Sequence, residues 1–210
     1  MNVLVIAPHP DDESIGCGGT VCKHAKAGDR VLAVYLTSGE LGIKKLPPEK
    51  VWTIREKEAR AAAKILGLAD LAFLRGPDWY VADTTGRLTL ELTAIFARER
   101  PELIYLPHPG EWHPDHKAAL PLVQGAVREA AIASPTFRAY EVWTPLSEFD
   151  HLEDISAVMP AKLKAVRAHR SQCKGLRYDR AIRGLNEYRG AMTTKFRYAE
   201  VFQVIASNSA

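Results

Sequence analysis

Apolar residues fall in short blocks along this chain, and the blocks are of two kinds. Some are nearly unbroken: "NVLVIA" (2–7), "RVLAVYLTS" (30–38) and "ELIYLP" (102–107). Runs of this kind fit strands buried on both faces of a sheet. Others scatter apolar residues among Ala, Glu, Lys and Arg at helical spacing. "VWTIREKEARAAAKILG" (51–67) predicts a helix ended by Gly67. "RLTLELTAIFARERP" (87–101) predicts a helix stopped before Pro101. "PDHKAALPLVQGAVREAAI" (114–132) predicts a helix with a possible kink at Pro121, and "AKLKAVRAHRSQ" (161–172) predicts another. "GCGGTVCKHAKAG" (16–28) reads as a first helix closed by Gly28. "LAFL" (71–74), "RAYEVWTPL" (138–146) and "YAEVFQVIA" (198–206) read as further strands.

Strand and helix alternate, with no internal repeat and no linker. The pattern predicts a single α/β domain over 1–210: a Rossmann-like, doubly wound, mostly parallel sheet with helices on both faces. Apolar residues make up 47% and charged residues 25%, as in an ordinary globular protein. A formal net charge of +3 is too mild to argue for nucleic acid. Cys17, Cys22 and Cys173 are odd in number and form no C-x-x-C pair. That argues against a disulfide framework and for a reducing cytoplasm. "MNVLVIAPH" lacks a basic leader and reads as a first strand. No apolar stretch approaches the ~18 residues of a membrane span.

Folds of this kind bind ligands beyond the carboxyl ends of their strands, where the strand order reverses. In the common order the first and fourth strands flank that crevice. The segments that follow them are His9-Pro10-Asp11-Asp12 and His113-Pro114-Asp115-His116. One His-Pro-Asp turn alone is explained as a capped helix start, since Pro suits the first helical position and acids suit the dipole. Two such turns facing each other gather three His and three Asp, and carboxylates that close repel unless a cation lies among them. A His/His/carboxylate set with an open position is a catalytic zinc arrangement. His9 and Asp12, three apart in a tight turn, can reach one ion, and His116 can supply the third ligand. Fe(II), Co(II) or Mn(II) would also suit that set. Asp11 is then placed to act as general base. His113 is free to act as a cation near a developing oxyanion or as an acid, with Asp115 holding its imidazole. The chemistry this predicts is metal-assisted hydrolysis of an amide or ester.

"PHPDDESIGCGGT" with "HPDH" resembles the PIG-L/LmbE-like family of zinc-dependent N-acetylglucosaminyl deacetylases. "TSGE" (37–40), "REKEARAAAKILG" (55–67), "GPD" (76–78), "YEVWTPL" (140–146) and "AKLKAVRAHRSQ" (161–172) extend the resemblance over most of the chain. The resemblance implies removal of an acetyl group from an N-acetylglucosamine conjugate. It implies His9, Asp12 and His116 as zinc ligands, Asp11 as base, and His113 backed by Asp115 at the oxyanion. It also implies Arg55 and Asp78 at the sugar hydroxyls, Glu40 near the crevice, and a homotrimer or homohexamer. Some relatives carry a Tyr two residues before the second His, where it helps bind the carbonyl oxygen. Here that position is Glu111, which cannot donate unless protonated. Trp112 is a candidate wall for a sugar ring.

Rival readings are weaker. A nucleotide-binding module wants G-x-G-x-x-G, but after Gly16 and Gly18 the third position is Val21. A metal phosphoesterase wants two metals and more ligands. An amidase acting on another acyl or thiol conjugate keeps the same chemistry. The loops 41–52 and 75–87 are the expected rim of the site. His24 and His169 are expected at the surface or core edge, and His108 near the ligands; His151 has no assigned role. The segment 162–189 holds nine Lys/Arg against two acids and reads as a solvated helix face.

Overall fold

The pleat divides the first apolar run between two cores. Val3, Val5 and Ala7 point into one cluster with Cys17, Ala59, Leu66 and Ala165. Leu4 and Ile6 point into another with Leu92, Phe96, Leu122 and Val123. Alternate residues of one strand thus meet helices on opposite faces, which is why the run can be apolar throughout. This is seen in a computed structural model of the chain that describes residues 1–193 and 195–206. Residues 194 and 207–210 of the expected 1–210 domain lie outside the described residues.

Seven strands form one sheet: β1 (Asn2–Ala7), β2 (Arg30–Thr37), β3 (Asp70–Gly76), β4 (Leu103–Pro107), β5 (Thr136–Tyr140), β6 (His151–Asp154) and β7 (Ala199–Ile205). Their order is β3-β2-β1-β4-β5-β7-β6. The first five are mutually parallel; β7 runs antiparallel to both β5 and β6. The order turns between β1 and β4, as expected, where Val5 pairs with Tyr105. Helices α2 (Gly18–Lys26), α3 (Pro48–Leu66) and α6 (Met159–Ala168) cover one face, and the short α1 (Asp12–Gly16) packs Ile15 with Val166 and Ile182. Helices α4 (Thr85–Glu99) and α5 (Pro114–Glu129) cover the other, and α5 runs through Pro121 without ending. Two further helices, α7 (Arg170–Cys173) and α8 (Tyr178–Met192), follow α6. No helix among the described residues is long and apolar enough to cross a membrane.

Several expected boundaries shift for local reasons. The 16–28 helix is two pieces broken at Cys17. The 138–146 strand ends at Tyr140, because the N–H groups of Val142, Trp143 and Thr144 turn to Glu111 Oε1. The 161–172 helix breaks at His169, whose backbone leaves helical geometry at ψ 61°. Strand β6 and helix α8 were not expected as elements. Within the basic segment, Lys162 departs from a solvated face: it is fully buried and bonds Glu200 at 2.6 Å. Glu200 also accepts from the N–H groups of Gly19 and Thr20, capping the start of α2.

Candidate metal centre and cleft

The loops after β1, β2, β3 and β4 all leave the same edge of the sheet. They carry His9–Asp12, Gly39–Gly42, Asp78–Val81 and His113–His116. Asp11 has a φ of 142°, a strained value for a residue with a side chain. Its N–H donates to Glu13 Oε2 at 3.2 Å, which helps hold the turn. His113 caps α5, its Nδ1 accepting the Asp115 N–H at 3.3 Å, and Pro114 starts the helix. His9, Asp11, Asp12, Asp78, His113, Asp115 and His116 are all buried.

Three of these converge. His9 Nδ1 lies 3.4 Å from Asp12 Oδ2, His116 Nε2 lies 3.2 Å from the same oxygen, and the two nitrogens are 3.3 Å apart. A tetrahedral ion with bonds of about 2.0–2.1 Å sets its donor atoms about 3.3–3.4 Å apart. The triangle therefore fits a metal. His9, His113 and His116 also bring ligand atoms within 4.8 Å of one another, as do His9, Asp78, His113 and Asp115.

The surroundings point the same way. His9 Nε2 bonds Asp115 Oδ2 and Asp78 Oδ1, each at 3.1 Å, which leaves Nδ1 free to ligate. On the other histidine, His116 Nδ1 is buried with no hydrogen-bond partner, and so is Glu111 Oε2; they lie 3.8 Å apart. Glu111 is fully buried and does not line the cleft. It thus does not stand in for the Tyr of some relatives; it faces His116 and gathers the 142–144 loop. Burial opposes protonation of His9, but Asp115, Asp12 and Asp78 raise its pKa well above the usual histidine value. Burial likewise resists ionisation of Asp12, yet His116 and His9 hold its carboxyl below the usual range. Without an ion, a proton on His9 offsets the buried carboxylates around it.

Asp11 differs from Asp12. Burial pushes its pKa up to about 6 against the pull of Arg55, whose Nη2 is 3.3 Å from Asp11 Oδ1. His113 moves the other way, down to about 4, through burial and the neighbouring His9 and His116. That corrects the expectation of an imidazolium: near neutral pH His113 is a neutral ring. Asp115 is corrected too. Its carboxylate bonds His9, Trp79 N–H and Val81 N–H, so it orients His9; only its backbone touches His113.

The outer residues divide. Arg55 makes no helix pair; it bonds Gly39 O and Pro10 O and lines the cleft, as Asp78 does. Glu40 does not line it: its carboxylate accepts from Asp78 N–H and Trp52 Nε1. Trp112 is exposed beside His113, their rings 5.3 Å apart. Leu41, Gly42 and Trp79 place both expected rim loops at the cleft, but Trp143, Gln172 and Tyr178 line it from segments not expected there. His169 is buried, not superficial, and contacts Glu13 Oε1 at 3.3 Å. His108 bonds Thr144 O at 2.7 Å and pins that loop. His151 contacts Glu153 on β6. A larger groove of about 670 Å³ between α3 and α6 is lined by Ile54, Lys57, Ala61 and Arg167, and it lacks this chemistry.

Residues 4–127 match the PIG-L family, described as GlcNAc-PI de-N-acetylase. The chain belongs to the PIG-L family. A diacetylchitobiose deacetylase of Thermococcus kodakarensis is 32% identical over 188 residues, covering 81% of this chain and 69% of that one. A probable N-acetyl-alpha-D-glucosaminyl L-malate deacetylase 2 of Bacillus anthracis is 33% identical over 190 residues, covering 81% of each. Among solved structures, an N,N'-diacetylchitobiose deacetylase from Pyrococcus horikoshii superposes with a TM-score of 0.85 at 28% identity. That match covers 98% of this chain and 84% of the other. The PIG-L match includes both His-Pro-Asp segments and ends inside α5.

Proposed function

We propose that this PIG-L chain is a zinc-dependent hydrolase that removes the N-acetyl group from an N-acetylglucosamine-containing conjugate. The observation that carries the reading is the 3.2–3.4 Å triangle of His9 Nδ1, Asp12 Oδ2 and His116 Nε2, with Asp11 buried beside it. Those three residues would hold the ion. When bound, a divalent metal would polarise the acetyl carbonyl and lower the pKa of water to about 7.

The remaining work falls to side chains. Asp11, with a pKa near 6, is ionised at neutral pH yet basic enough to take a proton from the attacking water. The same carboxyl can then give that proton to the nitrogen as the C–N bond breaks. Acetate and a free amine are the products. His113 Nδ1 accepts a backbone N–H, so the neutral ring carries its proton on Nε2. From there it donates to the carbonyl oxygen as negative charge develops. Asp115 and Asp78 fix the ring of His9 from behind. Arg55 anchors the Asp11 turn through Pro10 O and lines the cleft, where its guanidinium can meet a sugar hydroxyl. The three free cysteines fit a cytoplasmic location.

The test is acetate release from N-acetylglucosamine conjugates by the protein as isolated, after chelation, and after zinc is restored. Release that stops with the chelator and returns with zinc supports the reading. Release that ignores the chelator overturns the metal role. A phosphatase activity without acetate release would favour the phosphoesterase alternative.

A further inference from the structure

Asp11 sits in a backbone conformation that a residue with a side chain keeps only under outside constraint: φ is 142° and ψ is -25°. The constraints can be named. Arg55 Nη2 donates to Pro10 O at 2.8 Å on one side of the residue, and Ile15 N–H donates to Asp11 O at 2.9 Å on the other. The Asp11 N–H itself is taken by Glu13 Oε2 at 3.2 Å. A carboxylate near a helix start can reach back in this way to cap an N–H group. Glutamate is almost never fully buried unless it is paired, and Glu13 is fully buried. It needs partners of its own.

One partner comes from its own turn and one from far along the chain. Ser14 Oγ donates to Glu13 Oε1 at 2.7 Å, and His169 Nε2 lies 3.3 Å from the same oxygen. A carboxylate only accepts, so that ring nitrogen carries the proton. His169 stands at the break between α6 and α7 and is buried. Its Nδ1 has no hydrogen-bond partner among the described residues. An apolar side chain would fill the same position without the cost of an unpaired nitrogen. The histidine is therefore explained by the bond that its other nitrogen makes. Neither Glu13 nor His169 lines the cleft, whereas Asp11 does. The pair meets behind the base, out of reach of a substrate. Asp12 has a separate anchor, the His9 N–H at 2.8 Å from its Oδ2, so the ion's donors do not depend on Glu13.

Resting on the deacetylase reading, we infer that Glu13 and His169 are positioning residues: His169 fixes the Glu13 carboxylate, and that carboxylate holds the strained Asp11 backbone so that the base faces the cleft. Without the bond from Glu13, the turn relaxes toward an ordinary φ and the Asp11 carboxylate leaves its place. The donors His9, Asp12 and His116 stay where they are.

The experiment measures acetate release, bound zinc and the crystal structure for zinc-loaded Glu13→Gln, His169→Leu and His169→Gln beside the wild-type protein. Glu13→Gln keeps the volume but sets an amide donor against donors that already point there. In Glu13→Gln and His169→Leu kcat should fall by about 10–100-fold with KM and bound zinc unchanged, since a misplacement of about 1 Å is enough for such a loss. In both, Asp11 should leave its φ of 142°. His169→Gln can still donate to Glu13 and should restore most of kcat. An unmoved kcat overturns the inference, as does an Asp11 that keeps its backbone while kcat falls. Loss of zinc or a rise in KM alongside kcat overturns it too, because the pair is then a general support of the fold. A kcat as low in His169→Gln as in His169→Leu removes His169 from it. Where His169→Leu does not fold, Glu13→Gln decides. Each of these leaves the deacetylase reading standing. No acetate from the zinc-loaded wild-type protein overturns that reading and the inference with it.

Discussion

Asp11 and Asp12 are adjacent, both buried, and chemically opposite. His116 and His9 keep Asp12 ionised, whereas burial lifts Asp11 to about 6 despite Arg55. The split matches a ligand beside a base. Asp11→Asn keeps the shape and removes the proton acceptor. It should keep one metal per chain and lose about 10²–10⁴-fold in kcat. Metal analysis and initial rates on the same preparation check this; full activity in the asparagine variant would remove Asp11 as base. Glu111 is a second case. Its Oε2 and His116 Nδ1 are buried, mutually near and otherwise unpartnered. A ligating His116 must carry its proton on Nδ1, and a carboxylate is the acceptor that orients it. Glu111→Gln places a donor there while its oxygen can still hold the loop N–H groups. Zinc affinity should fall about 10–100-fold, read by chelator competition with no substrate present. An unchanged affinity would reduce Glu111 to a loop anchor. The two His-Pro-Asp turns made the ligand candidates legible from sequence. The bond from Asp115 to His9 and the burial of His169 against Glu13 were not, because partners at such range in the chain depend on which way a side chain turns.

At the level of elements, close approach explains what propensity does not. Gly16 ends α1 against the ring of the fully buried Tyr140, and a Cβ there would lie 2.2 Å from Tyr140 Cδ2. Gly184 lies inside α8 with nothing within 4 Å of a Cβ. The same substitution should therefore have opposite signs. Gly16→Ala should destabilise by about 1–3 kcal/mol, since the ring has no room to move. Gly184→Ala should stabilise by about 0.5–1 kcal/mol, because an exposed helix interior favours Ala. Urea midpoints at constant m-value measure both, and equal shifts would defeat the packing argument. The long helices α3, α4 and α5 were legible in their apolar spacing and end signals. β6 was not, because "HLED" is three half-buried residues and one exposed residue at a sheet edge. The end of β5 was not either, since Glu111, from a distant segment, draws the next three N–H groups out of the ladder.

Across the whole molecule, the parallel run of β1 to β5 sends the functional loops to one sheet edge, with the strand order turning between β1 and β4. That adjacency was legible, since two buried runs each ended in His-Pro-Asp. The antiparallel close of the sheet was not, because an edge strand and its neighbour carry no direction in their composition. The topology has a thermodynamic consequence. The donors come from two segments far apart in sequence, His9 and Asp12 after β1 and His116 in α5. An unfolded chain cannot hold them together, so an ion binds the native state alone and stabilises it by mass action. At 100 times its Kd this amounts to about 2.7 kcal/mol, and each further tenfold adds about 1.4 kcal/mol. For a chain of this length that corresponds to a rise in Tm of roughly 5–11 °C. Chelated protein titrated with zinc in a thermal melt should trace that rise. His116→Ala should flatten it, because two donors remain of three. Asp11→Asn should keep it, because the base is not a donor. A wild-type Tm indifferent to zinc would overturn the metal centre, and an unchanged response in His116→Ala would transfer the ion to the wider set that includes His113.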